Sequence, residues 1–333
     1  MLELAGASNW RLSVRNTPEG VEILRAVTCD RAAVLPDSLF GLPVTALGDR
    51  ALAGGEFAPE GEEVRISCGS GGDVWDNRTL ESLALPGSLR RAGDYALLNC
   101  HSLRTLRLFD GVSSWGGGAL MNCRSLSSFH LTRLENAQGP SLAYLVGELS
   151  RELEVTVLEA DGTQIRLLFP EFTEIYEENC PAHHFDYTIV GAGYPYHHCF
   201  RQKLLRLNEY DALWNAFLGM EHEPSTALRL AWLRLRWPAD LGPGAEAAYL
   251  LYLRGHLGEL LDTLAASNDA EGLHFLLARS DPDRQTLANA CAAAREQHAS
   301  SALALLLETL HRKFPAGLEK RFELYRGGVL WPI

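Results

Sequence analysis

The chain has 333 residues, 47% of them hydrophobic and 22% charged, which is enough apolar material for a large core and a length that favours two or three globular units. Wholesale disorder and a collagen-like repeat are excluded by that composition. Lys and Arg number 30 against 42 Asp and Glu, and the net charge of −12 is carried almost wholly by residues 1–200, which hold 15 basic and 26 acidic side chains. An acidic half repels phosphate backbones, so nucleic acid is not expected as a partner.

No apolar run is long enough to span a membrane, and the opening stretch Met1-Leu-Glu-Leu-Ala-Gly-Ala-Ser-Asn-Trp10 has neither a basic n-region nor a long apolar h-region. A soluble protein without a membrane span is expected. The seven cysteines, Cys29, Cys68, Cys100, Cys123, Cys180, Cys199 and Cys291, are odd in number and too sparse for a disulfide framework. A cytoplasmic location is the resulting expectation, with the cell surface or secretion the alternative if an export signal has been removed.

In chain order, residues 10–14 and 21–26 flank the turn-rich Asn16-Thr-Pro-Glu-Gly20, which predicts a hairpin placed to cap the strands beyond it. Residues 54–79 read as an insertion rich in Gly and Glu. Its acids Glu56, Glu60, Glu62 and Glu63 lack the EF-hand spacing for calcium and predict a solvated acidic loop.

An internal repeat begins at Leu80. LESLALPGSLRRAGDYALLNCHS is followed from Leu103 by LRTLRLFDGVSSWGGGALMNCRS and from Leu126 by LSSFHL, a period of 23 residues. Leu80, Leu103 and Leu126 align, as do Leu83, Leu106 and Phe129, and Leu85, Leu108 and Leu131. Gly93 pairs with Gly116, Ala96 with Ala119, Asn99 with Asn122 and Cys100 with Cys123. A period in the twenties suits one short strand plus a return segment, stacked coil upon coil. Alternation along each strand turns Leu83, Leu85, Leu106, Leu108, Phe129 and Leu131 inward and leaves Ser82, Ala84, Thr105, Arg107, Ser128 and His130 as an outward row. The Asn-Cys pairs suit the return turn, with the amides satisfying buried backbone groups. Cys100 and Cys123 become neighbours that behave as small hydrophobes, a disulfide or metal pair being the alternative.

Leu85-Pro86, Gly93-Asp94, Ala96-Leu97 and Asn99-Cys100 resemble the BspA-type leucine-rich repeat family, and Val34-Leu35-Pro36-Asp37, Gly41-Leu42-Pro43-Val44 and Gly48-Asp49-Arg50-Ala51-Leu52 look like a first repeat of the same array. The resemblance covers roughly residues 10–134 and implies a bacterial leucine-rich-repeat solenoid. The chain departs from the family pattern in the 54–79 insertion and in carrying Leu where the family has an aromatic after Ala.

After the repeats, Leu142, Leu145, Val146 and Leu149 predict a helix over 141–150, and 153–159 with 163–169 flank Asp161-Gly162 as a hairpin. Residues 135–170 are thus expected to form the far cap. Asp186-Tyr-Thr-Ile-Val-Gly-Ala-Gly193 begins like a dinucleotide-binding turn, but Tyr196 stands where the third glycine belongs, so a strand-to-helix junction is expected and no cofactor. Cys180, His183, His184, His197, His198 and Cys199 bring six potential zinc ligands within twenty residues. The adjacent histidine pairs cannot easily converge on one ion, so no metal site is expected, with zinc the alternative. Phe169-Pro170-Glu171, Glu178-Asn179-Cys180-Pro181-Ala182, Gly191-x-Gly193 and Cys199-Phe200 resemble the linker between repeat and helical halves of intracellular leucine-rich-repeat proteins from gut clostridia, a likeness that implies no activity.

From about residue 202 the period changes and helices are predicted near 208–220, 224–236, 243–254, 257–267, 270–279, 283–297 and 299–312. Short links imply antiparallel neighbours. Residues 264–277 and 293–306 look alike at an offset of 29, which resembles an ankyrin helix pair without its Thr-Pro-Leu-His opening. Trp214, Trp232 and Trp237 fall at helical spacings and read as core anchors.

The expected fold class is α+β, a leucine-rich-repeat solenoid of short parallel strands with capping hairpins, followed by an all-α antiparallel helical repeat-like domain. Its divisions are 1–170, a junction over 171–201, and 202–333. No Gly-x-Ser-x-Gly, His-Glu-x-x-His or P-loop occurs, so the expected function is a non-enzymatic adaptor that binds a protein partner through the outward row. The alternative is an enzyme or metal site at residues 180–200.

Overall fold

The computed structural model describes residues 2–55, 58, 61–69, 71–134, 139–179 and 184–315. It is a mixed α/β protein that divides into two compact units, Met1–Glu246 and Ala247–Ile333.

In the first unit the 23-residue period appears as parallel strand pairing. Ser82–Ala84 pairs with Thr105–Phe109, which pairs with Ser128–Thr132, and Leu83, Leu106 and Phe129 stand in one register. Ala32–Val34 joins in parallel before them, and Leu153–Leu158 joins after them. Gln164–Phe169 closes this six-stranded sheet in antiparallel fashion through the Asp161-Gly162 turn. A second ladder is built from the same coils. Leu42–Leu47, Arg91–Ala92 and Ser114–Trp115 are parallel neighbours in the other large sheet, again 23 residues apart in the last two.

The return segments stack as well. Arg50, Leu52 and Gly54 donate their backbone N–H groups to the carbonyls of Asp94, Ala96 and Leu98, while Tyr95, Leu97 and Asn99 donate to those of Gly117, Ala119 and Met121. The stretch around Gly48-Asp49-Arg50 therefore forms a coil against residues 93–98. Between the layers the core is aliphatic: Leu83, Leu85, Leu106, Leu108, Phe129 and Leu131 are at most 3% exposed. Asn99 and Asn122 both adopt left-handed backbone, φ 63° and 62°, which asparagine tolerates better than other side chains.

The asparagines do not serve buried backbone as expected. Asn122 Nδ2 donates to Asn99 Oδ1 at 2.8 Å, forming an amide ladder. The buried backbone is served by Asn77, fully buried, which accepts from the Thr28 N–H at 3.0 Å and donates to the Ala26 and Leu52 carbonyls at 2.8 and 2.9 Å. Cys100 and Cys123 are buried, each Sγ donating to a carbonyl, of Leu52 and Leu97 respectively, at 3.2 Å.

The 54–79 insertion also differs from expectation. Glu56 and Glu60 lie outside the described residues, but Glu62–Ser67 is a strand that pairs antiparallel with Trp10–Thr17 and parallel with Leu2–Ala5. Val64 and Ile66 are buried, so the segment alternates as a half-buried strand does. The hairpin Trp10–Thr17 and Gly20–Thr28 forms as predicted, and Trp10, fully buried, donates its indole N–H to the Val34 carbonyl.

Strand Leu204–Leu205 pairs with Phe200–Arg201 across the expected boundary at residue 202, helix begins only at Leu207, and the first compact unit continues to Glu246. Helix Pro224–Arg236 packs on strand Gln164–Phe169. The Tyr210 hydroxyl, buried, donates to the Leu168 carbonyl at 2.5 Å. Arg234 and Asp211, both buried, form a bidentate pair at 2.7 and 2.9 Å that fixes helix Leu207–Ala212 against helix Pro224–Arg236. The predicted 208–220 helix is two short ones, Leu207–Ala212 and Trp214–Leu218, separated at Leu213. Trp214 and Trp232 are buried as expected, while Trp237 is half-buried and receives the Arg166 guanidinium 4.2 Å from its ring centre.

In the second unit, helices Leu257–Ala266 and Ala270–Leu277 form one pair and Arg284–Glu296 and Ser300–Lys313 another. First helix packs on first helix and second on second. Asn268 and His298, both left-handed at φ 57° and 55°, make the two turns, so the offset is 30 and not 29. At that offset buried Gly272 and Leu276 correspond to buried Ala302 and Leu306.

Candidate partner-binding face

The outward row is brought together in register. Ser82, Thr105 and Ser128 form one rung across the six-stranded sheet, and Ala84, Arg107 and His130 form the next. Arg107 is exposed and the other five are half-buried. The alternation that buries the leucines on one face leaves these side chains on the other, because successive Cβ atoms of a strand point to opposite sides.

The rungs continue into residues that periodicity alone did not mark. Ser128 is followed by Glu154 and Leu168, and His130 by Thr156 and Arg166. Arg166 pairs with Glu154, and Arg229 of helix Pro224–Arg236 reaches both Glu152 and Glu154. Thr226 on the same helix donates its hydroxyl to Glu152 at 2.6 Å. Burial acts to raise the Glu154 carboxyl, but the Arg166 and Arg229 guanidinia outweigh it and hold the group below the usual range. Glu154 is thereby held ionised, its charge matched by the two guanidinia. The helix covers the Gln164–Phe169 end of the sheet and leaves the row from Ala84 to His130 accessible.

The Arg107 guanidinium makes no hydrogen bond or ion pair with any described residue. Its neighbour His130 lies 3.3 Å from the Ser128 hydroxyl through Nε2. Burial, with Arg107 and Arg166 adding to it, pushes the imidazole below its ordinary pKa, and Glu154 opposes the shift. At neutral pH the row therefore offers one guanidinium, an uncharged imidazole and three hydroxyls. Glu154, Arg166 and Arg229 had only one sequence signal: Glu154 and Arg166 follow at the repeat's edge, flanking the Asp161-Gly162 turn.

The junction residues are placed differently. Cys180 and His183 lie outside the described residues. His197 is buried, with Nδ1 3.0 Å from the Val146 carbonyl and Nε2 2.9 Å from that of Pro170, and burial lowers its pKa. A neutral imidazole satisfies one of these acceptors at a time. His198 is exposed, stacks on Tyr194 at 4.0 Å and contacts the Tyr194 carbonyl. Cys199 is buried, donates to the Tyr196 carbonyl, and has its thiol pushed up to about 12 by burial. Among the described residues no three His, Cys, Asp or Glu side chains converge as metal ligands. Gly193 opens helix Tyr194–His197, and a Cβ there would stand 1.9 Å from the Pro170 carbonyl oxygen, so close backbone approach accounts for the second glycine of Gly191-x-Gly193.

No family model and no curated relative matches the chain. Among solved structures, a leucine-rich repeat protein from T. pallidum is similar at 23% identity, covering 38% of this chain and 52% of that one with a TM-score of 0.28. The chain thus spans about half the length of that protein. No helix among the described residues is long and apolar enough to cross a membrane.

Proposed function

We propose that the chain is a non-enzymatic protein-interaction module in which the parallel ladder is a leucine-rich-repeat solenoid of BspA type, capped by its two hairpins, and the row Ser82, Ala84, Thr105, Arg107, Ser128 and His130 is a partner-binding face. The paired helices of the second unit are read as a helical repeat of ankyrin-like geometry. One observation carries the functional reading: an exposed guanidinium, Arg107, with no ion pair among the described residues, in register with half-buried His130 on a sheet face. Rigid stacking holds such a row without the entropy cost that a loop would incur. An Arg107→Glu, His130→Glu variant of unchanged Tm tests it. A protein captured by the wild type should be lost from the variant and should protect residues 105–109 and 128–132 from hydrogen exchange. Identical capture by both forms removes this face from consideration. Elemental analysis is expected to find less than stoichiometric zinc. One zinc per chain, lost in a Cys180→Ala, Cys199→Ala variant, would place the site at the junction instead.

A further inference from the structure

Strands Thr173–Asn179 and His184–Val190 form an antiparallel ribbon with Tyr176 opposite Tyr187 and Thr173 opposite Val190. Two strands alone are marginal in water, and this pair keeps large apolar side chains exposed on both faces. Tyr176 and Tyr187, 67% and 47% exposed, share one face, while Ile175 and Val190, 39% and 41% exposed, occupy the other. The ribbon residues 173–177, 186–188 and 190 are all exposed.

The two tyrosine rings lie 5.0 Å apart, and both hydroxyls donate to Glu174, at 3.2 Å from Tyr176 and 2.7 Å from Tyr187. A carboxylate is thus held at the edge of two aromatic faces. A guanidinium is the side chain that can lie on such a ring and pair with a carboxylate in its own plane; an ammonium lacks that flat shape and meets the carboxylate as a point charge. Charge selects the same partner. Residues 167–200 contain Glu171, Glu174, Glu177, Glu178 and Asp186 and no Lys or Arg at all.

At the base of the ribbon, Thr173 and Val190 border a groove of about 710 Å³ whose other walls include Phe172, Glu171, Glu221 and Glu223. These three carboxylates make no ion pair with a described residue. Glu223 stands at the N-cap of helix Pro224–Arg236, yet its side chain accepts no capping hydrogen bond. The remaining acid of the groove, Glu152, is already paired with Arg229. An acidic groove continuous with an acidic, tyrosine-bearing ribbon disfavours a second copy of the same surface, because like charges would face each other.

We propose that the ribbon and its groove form a docking surface for a basic, arginine-bearing polypeptide segment, one guanidinium lying against Tyr176 and Tyr187 beside Glu174 and a second basic side chain entering among Glu171, Glu221 and Glu223. The surface is separate from the Arg107 row and does not depend on it.

The test uses the full chain and three labelled peptides of alternating serine with arginine, lysine or glutamate, followed by fluorescence anisotropy. The arginine peptide is expected to bind at low ionic strength about fivefold or more tighter than the lysine peptide, and the glutamate peptide not at all. A Tyr176→Leu, Tyr187→Leu variant should lose about tenfold for arginine and erase the arginine–lysine difference. Glu221→Gln with Glu223→Gln should weaken both basic peptides alike, and Arg107→Glu with His130→Glu should not weaken the arginine peptide. The proposal is overturned if the arginine peptide does not bind, or if it binds no better than lysine and is indifferent to the tyrosine variant. Concentration-dependent dimerisation that the tyrosine variant abolishes would also overturn it by assigning the surface to a second copy.

Discussion

The ladder of residues 82–132 and the ribbon of residues 173–190 are both made of short strands, yet they solve opposite problems. Each ladder strand hides its alternate leucines against the core and has hydrogen-bonded neighbours on both sides, so a side chain such as Leu106 is fully buried. The ribbon has one partner strand per strand, and Tyr176 is 67% exposed. A strand in the ladder is stabilised by what it covers, whereas the ribbon holds apolar and acidic groups in water. The difference gives the first its stability from burial and leaves the second with large side chains free to meet a partner.

The sharpest way to break that contrast is to place one charge in each region. Leu106→Asp should destabilise by about 4 kcal/mol, since an unpaired carboxylate would sit among buried leucines. The matching Ile175→Asp should stay within about 0.5 kcal/mol. Thermal melts of the two variants decide the matter, and equal losses would erase the distinction. Asn77→Ala, next in size, should cost about 3 kcal/mol by stranding the Thr28 N–H and the Ala26 and Leu52 carbonyls, which urea unfolding would measure.

A smaller effect concerns the end of the ladder. Asp110 is fully buried and paired with Arg133, and burial pushes its pKa up to about 6 despite that guanidinium. A carboxyl whose pKa is higher folded than unfolded favours the native state when protonated. Its stabilisation is fully present below about pH 4 and is lost as pH rises through about 6. The difference in unfolding free energy between wild type and Asp110→Asn should therefore drift by about 2 kcal/mol between about pH 4 and pH 7, against the wild type at the higher pH. Denaturant titrations across that range check it, and a flat difference would show that Arg133 fully offsets the burial. The smallest effect is expected on the ribbon, where Tyr176→Leu with Tyr187→Leu should leave Tm within about two degrees, because the rings cover little of the core.

Much of the fold was legible as a period. Offsets of 23 residues place Leu83, Leu106 and Phe129 in one register because coils of equal length stack without slip, and the same arithmetic set Arg107 beside His130. Helix boundaries beyond residue 202 were largely readable, being written in apolar spacing and turn residues that act locally. The second ion pair of Glu154 was not readable, since Arg229 lies 75 positions away and arrives there only because its helix packs on the Gln164–Phe169 strand.

What the amino-acid order determined by itself was everything governed by local periodicity: the strands, the inward leucines, the outward row and the paired helices. Tertiary structure alone decided which polar groups meet. It made Asn77 the keystone of three backbone groups, turned the Glu62–Ser67 segment from an acidic loop into a paired strand, and left Tyr176, Tyr187 and Glu174 together in water. The reason is physical. Periodic burial is a sum of many small, equivalent contributions that survive averaging along a sequence, whereas a hydrogen bond or ion pair depends on two particular atoms brought within about 3 Å by the packing of elements far apart in the chain.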